Sequence, residues 1–348
     1  MNSSERLKAL VNHKPVDRAG VAGWLHMPLV DRNIKDFSRA TISFTDYCGS
    51  DFIKIMSNGH YMAEAYGADI EFSKNPQYWF GDFSKYPIRD ANDVANLPIL
   101  DPKQGVLDRE VSLAKEIICH YKGEVPALAT IFTPITWIQE LSSSLNPTST
   151  LELMKYHKKE LHKGLEAMLE TNLKFLDELI KVGIDGIFLA NQFAMKDIIT
   201  SEQYDEFCTP YETAILDHIK DRTWFNMLHM HGNKNLWFEK CLNYNVQAFN
   251  WENCPAGVAA GEISSIAQVR AVTDKIIISG IDQNLDFYNV NNDRNSIKEV
   301  LRKRLIVALE ECNFNSFIFA PGCTLPLDVD RYVYTLMKEI VEEEGLSQ

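Results

Sequence analysis

The stretch "WFNMLHMHG" (224–232) decides the fold more than any other part of the sequence. Its first seven residues are mostly apolar, as in a strand that is buried on both faces of a parallel sheet. Two histidines, His229 and His231, stand at its end and precede Gly232. The other predicted strands have the same apolar pattern: "GVAGW" (20–24), "FIKIM" (52–56), "ALATIF" (127–132), "GIFLA" (186–190), "VQAFNW" (246–251), "KIIISG" (275–280) and "SFIFA" (316–320).

Segments with helical periodicity lie between these strands, and three of them are predicted helices: 148–183, 201–220 and 328–345. Eight strands that alternate with helices predict an α/β fold of the (β/α)8 TIM-barrel class. We expect a single domain over residues 1–348, with N-terminal helical additions and an insertion near residues 70–105. A doubly wound open sheet is the alternative, but no G-x-G-x-x-G or P-loop motif follows the first strand.

Composition narrows the classes of function. The chain of 348 residues has a formal net charge of −13, which disfavours a nucleic-acid partner because phosphate backbones attract basic faces. No stretch approaches the roughly 20 apolar residues that a membrane span needs. The opening residues contain no apolar core of signal-peptide length, and the seven cysteines form no C-x-x-C motif. A cytoplasmic location is therefore the expectation.

Polar residues follow several predicted strands. Active sites of (β/α)8 barrels lie at the carboxyl ends of the strands, so these residues are the candidates for function. They are Asn58, Asn191, His229, His231, Glu252, Asp282 and Cys323.

The histidine pair indicates a metal site. Residues i and i+2 of a strand point to the same side, so His229 and His231 are expected to face the barrel mouth together. Cys323 follows the last strand in a "PGC" turn, and Glu252 offers a carboxylate at the same end. Zinc binds this mixture of nitrogen, sulfur and oxygen atoms, although cobalt or nickel would also accept it. The alternative is a satisfied histidine pair at the end of a buried strand, beside a cysteine that acts only as a small hydrophobe.

Three segments carry a family resemblance: "LHMHGN" (228–233), "APGCTLP" (320–326) and "ERLKALVNHKPVDRAGV" (5–21). They resemble the uroporphyrinogen decarboxylase superfamily, whose members are (β/α)8 barrels. Further segments follow in the order that the resemblance implies: "EAYGADI" (64–70), "FTPITW" (132–137), "GIDGIFLANQ" (183–192), "FCTPY" (207–211) and "SGIDQN" (279–284).

One branch of the superfamily decarboxylates uroporphyrinogen without a cofactor. It uses an arginine-rich loop after the first strand and an aspartate after the second. Here the first position reads "GWLHMPLVDR" (23–32), with Arg32 as its only arginine, and the second reads "IMSNGH" (55–60), without an aspartate. The sequence departs from this branch at both positions.

The other branch comprises zinc-dependent methyltransferases that act with methylated corrinoid proteins, such as methylcobalamin:coenzyme M methyltransferase. Their His-x-Cys motif and C-terminal "PGC" place the metal ligands at His229, His231 and Cys323, with histidine replacing the first cysteine. The resemblance implies zinc, which activates a thiol to attack the methyl group of a corrinoid. Glu252 and Asp282 are the candidate catalytic residues.

The cofactor is expected on a partner. Asn58 and Asn191 are the candidate cofactor-binding residues, but the chain has no D-x-H-x-x-G motif of corrinoid-binding domains. We therefore expect a corrinoid protein as partner and a small-molecule methyl acceptor or donor as substrate. The direction of transfer and homo-oligomerisation stay open. A metal-free decarboxylase of a porphyrinogen or related substrate and a non-catalytic binding barrel are the alternatives.

Overall fold

A computed structural model describes residues 1–143, 146–232, 235–252, 265–283, 286 and 293–345. The strands are β1 Gly20–Val21, β2 Ile53–Ile55, β3 Asp69–Phe72, β4 Gly81–Lys85, β5 Ala127–Phe132, β6 Gly186–Asn191, β7 Met227–Met230, β8 Ala248–Trp251, β9 Ile276–Ile281 and β10 Phe317–Pro321. The helices are α1 Ser3–Val11, α2 Ile34–Cys48, α3 Tyr61–Ala65, α4 Ala91–Ala95, α5 Gly105–Tyr121, α6 Pro134–Ser143, α7 Thr148–Tyr156, α8 Lys158–Val182, α9 Ser201–Phe207, α10 Thr209–Ile219, α11 Phe238–Cys241, α12 Ile266–Arg270, α13 Arg294–Glu311 and α14 Tyr332–Glu344.

Eight parallel strands form one curled sheet in the order β1-β10-β9-β8-β7-β6-β5-β2. From β2 through β5 to β10, the strands of this sheet lie side by side in chain order, and β1 lies beside the last strand, β10. This is the order of a (β/α)8 barrel, and it excludes the doubly wound alternative, whose strand order reverses at a switch point. All eight predicted strands are confirmed.

A buried carboxylate links the two edge strands, β1 and β2. The Asp51 backbone N–H donates to the Val21 carbonyl at 2.7 Å, and Asp51 Oδ2 accepts from the Val21 N–H at 2.9 Å. Arg6 and Arg18 also donate to this carboxylate, at 2.6 Å and 2.8 Å. The fully buried charge of Asp51 is thus compensated by two guanidinium groups, as a buried ion needs to be.

Apolar side chains pack on both faces of the sheet. Side chains of alternate strand positions fill the barrel interior, among them Trp24, Phe188, Phe225, Met227, Ile278 and Ile318. Leu7 and Leu10 of α1 belong to the same cluster. The opposite strand faces pack against the helices in a larger core. The alternation carries the side chain of His229, two residues after Met227, to the interior side at the carboxyl end of β7.

Two predicted helices are divided in the structure. His157 separates α7 from α8 with a non-helical backbone (φ −136°, ψ 42°), and its N–H caps α7 by donating to Leu153 O at 2.9 Å. Cys208 separates α9 from α10, because Pro210 in the first turn of α10 has no N–H with which to continue the hydrogen bonds of α9. The expected insertion near 70–105 contains the antiparallel hairpin of β3 and β4 and the short helix α4.

Candidate metal centre at the barrel mouth

Strand β7 positions two histidines at the barrel mouth. His229 is 4% exposed and lies within the strand, paired with Ala190 of β6 and Asn250 of β8. The His231 backbone N–H donates to the Asn191 carbonyl at 2.9 Å, which extends the pairing with β6 beyond the end of β7. The side chain of His231 is 47% exposed, so this residue lies at the rim of the barrel mouth.

Cys323 reaches the same point from β10. The Gly322 N–H donates to Ile281 O at 3.1 Å, which holds the turn after β10 against the end of β9. Ligand atoms of His229, His231 and Cys323 all lie within 4.8 Å of one another. Two imidazole nitrogens and one thiol sulfur therefore converge in a space that could hold a metal ion, with the donor types that zinc prefers.

Asn250 fixes the tautomer of His229. The Asn250 Nδ2 donates to Ile278 O at 2.8 Å and to Pro321 O at 3.2 Å, so its Oδ1 must be the atom 2.6 Å from His229 Nδ1. An amide oxygen can only accept, and His229 Nδ1 therefore carries the proton. The lone pair of the neutral ring is then on Nε2, which is the form that binds a metal.

Glu252 performs a similar task for the second histidine. Its Oε1 lies 3.0 Å from His231 Nδ1, and its backbone N–H donates to Gly232 O at 3.1 Å. A carboxylate on Nδ1 leaves Nε2 of His231 for a ligand, as in the carboxylate–histidine–zinc arrangement. The contact gives Glu252 an orienting position beside the centre; its catalytic role remains a prediction.

The electrostatics of the centre favour a thiolate. Burial raises the pKa of the Cys323 thiol, but the neighbouring His229 and His231 outweigh burial and lower this pKa to about 6. Partial burial lowers the pKa of His231, whereas the hydrogen bonds to Cys323 and Glu252 reverse this effect and raise it above its ordinary value. Burial raises the pKa of Glu252, and contact with His231 lowers it overall. The centre therefore prefers a deprotonated sulfur, the form that binds metals.

A cavity of about 210 Å³ opens beside the three candidate ligands. Its walls are largely aromatic, with Trp24, Trp79, Phe80, Phe132 and Phe188 among them. The β3–β4 connection supplies Trp79 and Phe80, which stack on each other with ring centroids 3.8 Å apart. Gly59 makes room for this wall, because a Cβ atom at position 59 would lie 2.7 Å from the Trp79 ring.

The other candidate residues take different positions. Asn58 lines the cavity, and its Nδ2 donates to Asp31 Oδ2 at 2.9 Å. Asn191 points to the helical side of β6, where its Nδ2 donates to Tyr204 and Glu212. Asp282 follows β9, and its N–H donates to Asp286 Oδ2 at 2.9 Å. Of these three, only Asn58 is among the cavity-lining residues of the described chain; direct contact of Asn191 with a cofactor stays a prediction, as does the role of Asp282.

Several polar residues of the cavity were not predicted, among them Lys54, His60 and Glu140. Lys54 carried a readable signal, since it is the single charge in the apolar strand "FIKIM". Burial lowers the pKa of its ammonium to about 7, although the nearby Cys323 thiolate raises it in part. His60 and Glu140 are 80 residues apart in a loop and a helix, and nothing in their local sequence joins them.

The sequence model of the family named uroporphyrinogen decarboxylase (URO-D) matches residues 11–344. The chain belongs to the uroporphyrinogen decarboxylase family. A curated uroporphyrinogen decarboxylase from Corynebacterium efficiens is 26% identical over 140 residues, which are 40% of this chain and 38% of that protein. The match thus covers well under two thirds of the length of this curated relative.

Solved structures show the same fold. A methyltransferase from Methanosarcina mazei superposes with a TM-score of 0.80 at 15% identity, covering 99% of both chains. A B12-independent methionine synthase from Shewanella sp. W3-18-1, in complex with selenomethionine, gives a TM-score of 0.58 at 12% identity and covers 95% of this chain and 99% of that one. At these identities the likeness concerns the fold alone. Within the described part of this family member, no helix has the length and apolar character to cross a membrane.

Proposed function

We propose that this member of the uroporphyrinogen decarboxylase family is a zinc-dependent methyltransferase. In this proposal it moves a methyl group between a corrinoid, carried by a partner protein, and a small thiol or similar acceptor. The observation that carries the proposal is the convergence of His229, His231 and Cys323 within 4.8 Å at the barrel mouth. The superposition on a methyltransferase along 99% of the chain supports it.

The residues fit a zinc ion. His229 presents Nε2 because Asn250 occupies Nδ1, and His231 presents Nε2 because Glu252 occupies Nδ1. Cys323 supplies a thiolate, and three protein ligands leave a position open for a substrate atom. Bound zinc would supply Lewis acidity that lowers the pKa of an acceptor thiol.

The partner would approach the exposed side of the centre. His231 is half exposed at the rim, whereas His229 is buried beneath it, so a metal held by these residues would be reached from the barrel mouth. A corrinoid presented there would meet the centre without entering the narrow cavity. Asn58, at the cavity wall, and Asp282 and Glu252, at the strand ends, remain the proposed contacts of cofactor and substrate.

Decarboxylation of a porphyrinogen without a metal is the second candidate, favoured by the family match and the name of the curated relative. Two observations weigh against it. The cavity of about 210 Å³ lies below the range of about 300–1,000 Å³ that is common for pockets of drug-sized ligands. Lys54 is the only lysine or arginine among the described residues that line it, and Arg32 instead pairs with Glu64.

The test is a transfer assay with zinc-loaded protein, methylcobalamin and 2-mercaptoethanol. The reaction is monitored through the absorbance change of the corrinoid. We expect thiol-dependent demethylation by the wild type, its loss in Cys323→Ser, and wild-type rates in the control Cys119→Ser, whose cysteine is exposed. Equal rates in Cys323→Ser and wild type would exclude a role for the metal centre. Decarboxylation of uroporphyrinogen by the wild type would support the second candidate.

A further inference from the structure

The cavity contains a buried histidine–carboxylate pair in addition to the three candidate metal ligands. His60 follows β2 and Glu140 belongs to α6 after β5, so neighbouring strands of the barrel deliver them to the same end. His60 Nδ1 lies 3.2 Å from Glu140 Oε2, and both side chains are almost completely buried. Both residues line the cavity that also contacts His229, His231 and Cys323.

The other nitrogen of His60 has no partner in the described structure. Nε2 is buried and makes no hydrogen bond to any described residue. Because His60 is only 1% exposed, bulk solvent does not supply the missing partner. A buried polar atom without a partner is costly, and such an atom in a cavity wall indicates a ligand that completes it. His26 Nδ1, in the same wall, is likewise buried without a partner among the described residues.

The surroundings of His60 fix its ring. The His60 backbone N–H donates to Asn58 Oδ1 at 2.9 Å. Phe83 meets the ring edge-on with a centroid distance of 4.9 Å, and Trp79 stacks at 5.7 Å. These contacts, together with the bond to Glu140, leave the imidazole little freedom to turn.

Proton location follows from the same contacts. The Glu140 carboxylate accepts from Nδ1–H, so a neutral His60 has its lone pair on Nε2. The ligand group that meets Nε2 must then be a hydrogen donor. Besides the candidate ligands His229, His231 and Cys323, the titratable neighbours in the walls are Glu140, His26, Lys54 and Tyr61. Burial, together with the charges of Lys54 and His60, keeps the pKa of His26 low. Glu140 is the one carboxylate among the described residues that line these walls, and its contact with His60 would stabilise an imidazolium.

We propose that His60 is the proton acceptor for the thiol substrate of this cavity and that Glu140 is its positioning residue. This inference rests on the proposed function. In the step, the S–H bond of the small thiol breaks, its electron pair stays on sulfur, and the proton moves to His60 Nε2. The imidazolium forms an ion pair with Glu140, and the sulfur is left as the nucleophile that the metal centre would receive. No oxidant or reductant is needed.

The test counts protons. Zinc-loaded protein is titrated with 2-mercaptoethanol by calorimetry near neutral pH, in buffers of different ionisation enthalpy. Since a thiol at this pH is protonated in solution, binding as thiolate releases about one proton unless the protein retains it. We expect little release from the wild type, about one proton more from His60→Gln, and roughly tenfold weaker binding in that variant.

Three further measurements make the result decisive. His120→Gln, which changes an exposed histidine, should behave as the wild type. Glu140→Gln keeps the imidazole in place, and we expect a proton release between those of wild type and His60→Gln. Near-UV circular dichroism confirms that the variants are folded. Equal proton release from wild type and His60→Gln would overturn this inference alone. Absence of thiol binding by the zinc-loaded wild type would overturn the thiol acceptor of the proposed function as well.

Discussion

Asn250 Oδ1 lies 2.6 Å from His229 Nδ1, and the amide nitrogen of Asn250 is committed to two backbone carbonyls. The asparagine therefore cannot turn its donor to the ring, and His229 is held with Nε2 deprotonated and directed away from β8. A neighbouring strand thus selects the tautomer of a candidate metal ligand before any metal binds.

Removal of this contact is expected to weaken metal binding. Asn250→Ala should lower the affinity for zinc by about 10- to 100-fold, since partners that orient a ligand typically contribute that much. The measurement is a competition titration with a chromophoric chelator. Asn226→Ala is the matched control, because Asn226 is also buried and accepts from the Ile187 N–H, at the other end of the same sheet. Equal zinc affinity in both variants would show that Asn250 has only a structural role.

The buried Glu212 should make stability depend on pH. It accepts hydrogen bonds from Asn191, Tyr204 and Tyr244. Burial is the main cause that raises its pKa to about 7, although the two tyrosines lower it in part. The folded state then binds more protons than the unfolded state between about pH 4.5 and 7, so the free energy of unfolding contributed by Glu212 falls as the pH rises through this window.

The corresponding test compares Glu212→Gln with the wild type in urea denaturation from about pH 5 to 8.5. Glutamine resembles the protonated form of glutamate. The free energy of unfolding of the variant, relative to that of the wild type, should therefore increase with rising pH, by up to about 3 kcal/mol in total. Glu116→Gln, at an exposed position, should show no such trend. A constant difference between Glu212→Gln and wild type across this range would mean that Glu212 titrates alike in the folded and unfolded states.

The contact between β1 and β2 depends on Asp51. Asp51→Ala would leave the side chain of Arg6, which is 4% exposed, without this buried partner, and a broken buried ion pair costs about 3–5 kcal/mol. We expect a loss of that size in the free energy of unfolding, measured by urea denaturation. The control is Glu170→Ala, because its pair with Lys174 is exposed on both sides and should contribute less than about 1 kcal/mol. Similar losses in both variants would argue against Asp51 as the link of the two edges.

The sequence could predict the strands and the meeting of His229, His231 and Cys323, because carboxyl ends of parallel strands converge at one end of a barrel. It could not predict the direction of Asn191. The segment "GIFLAN" is buried at every position, so no alternation of polar and apolar residues shows which side chains face the interior. The His60–Glu140 pair was also out of reach, since only the folded sheet brings the loop after β2 beside α6.

The metal content of purified, zinc-reconstituted protein tests the central claim most directly. Elemental analysis would compare the wild type with His231→Ala and Cys323→Ser, and with His120→Ala and Cys119→Ser as controls at exposed positions. The account predicts about one zinc per chain in the wild type and both controls, and its loss in His231→Ala and Cys323→Ser. A folded wild type without metal, or zinc retained in both ligand variants, would contradict it.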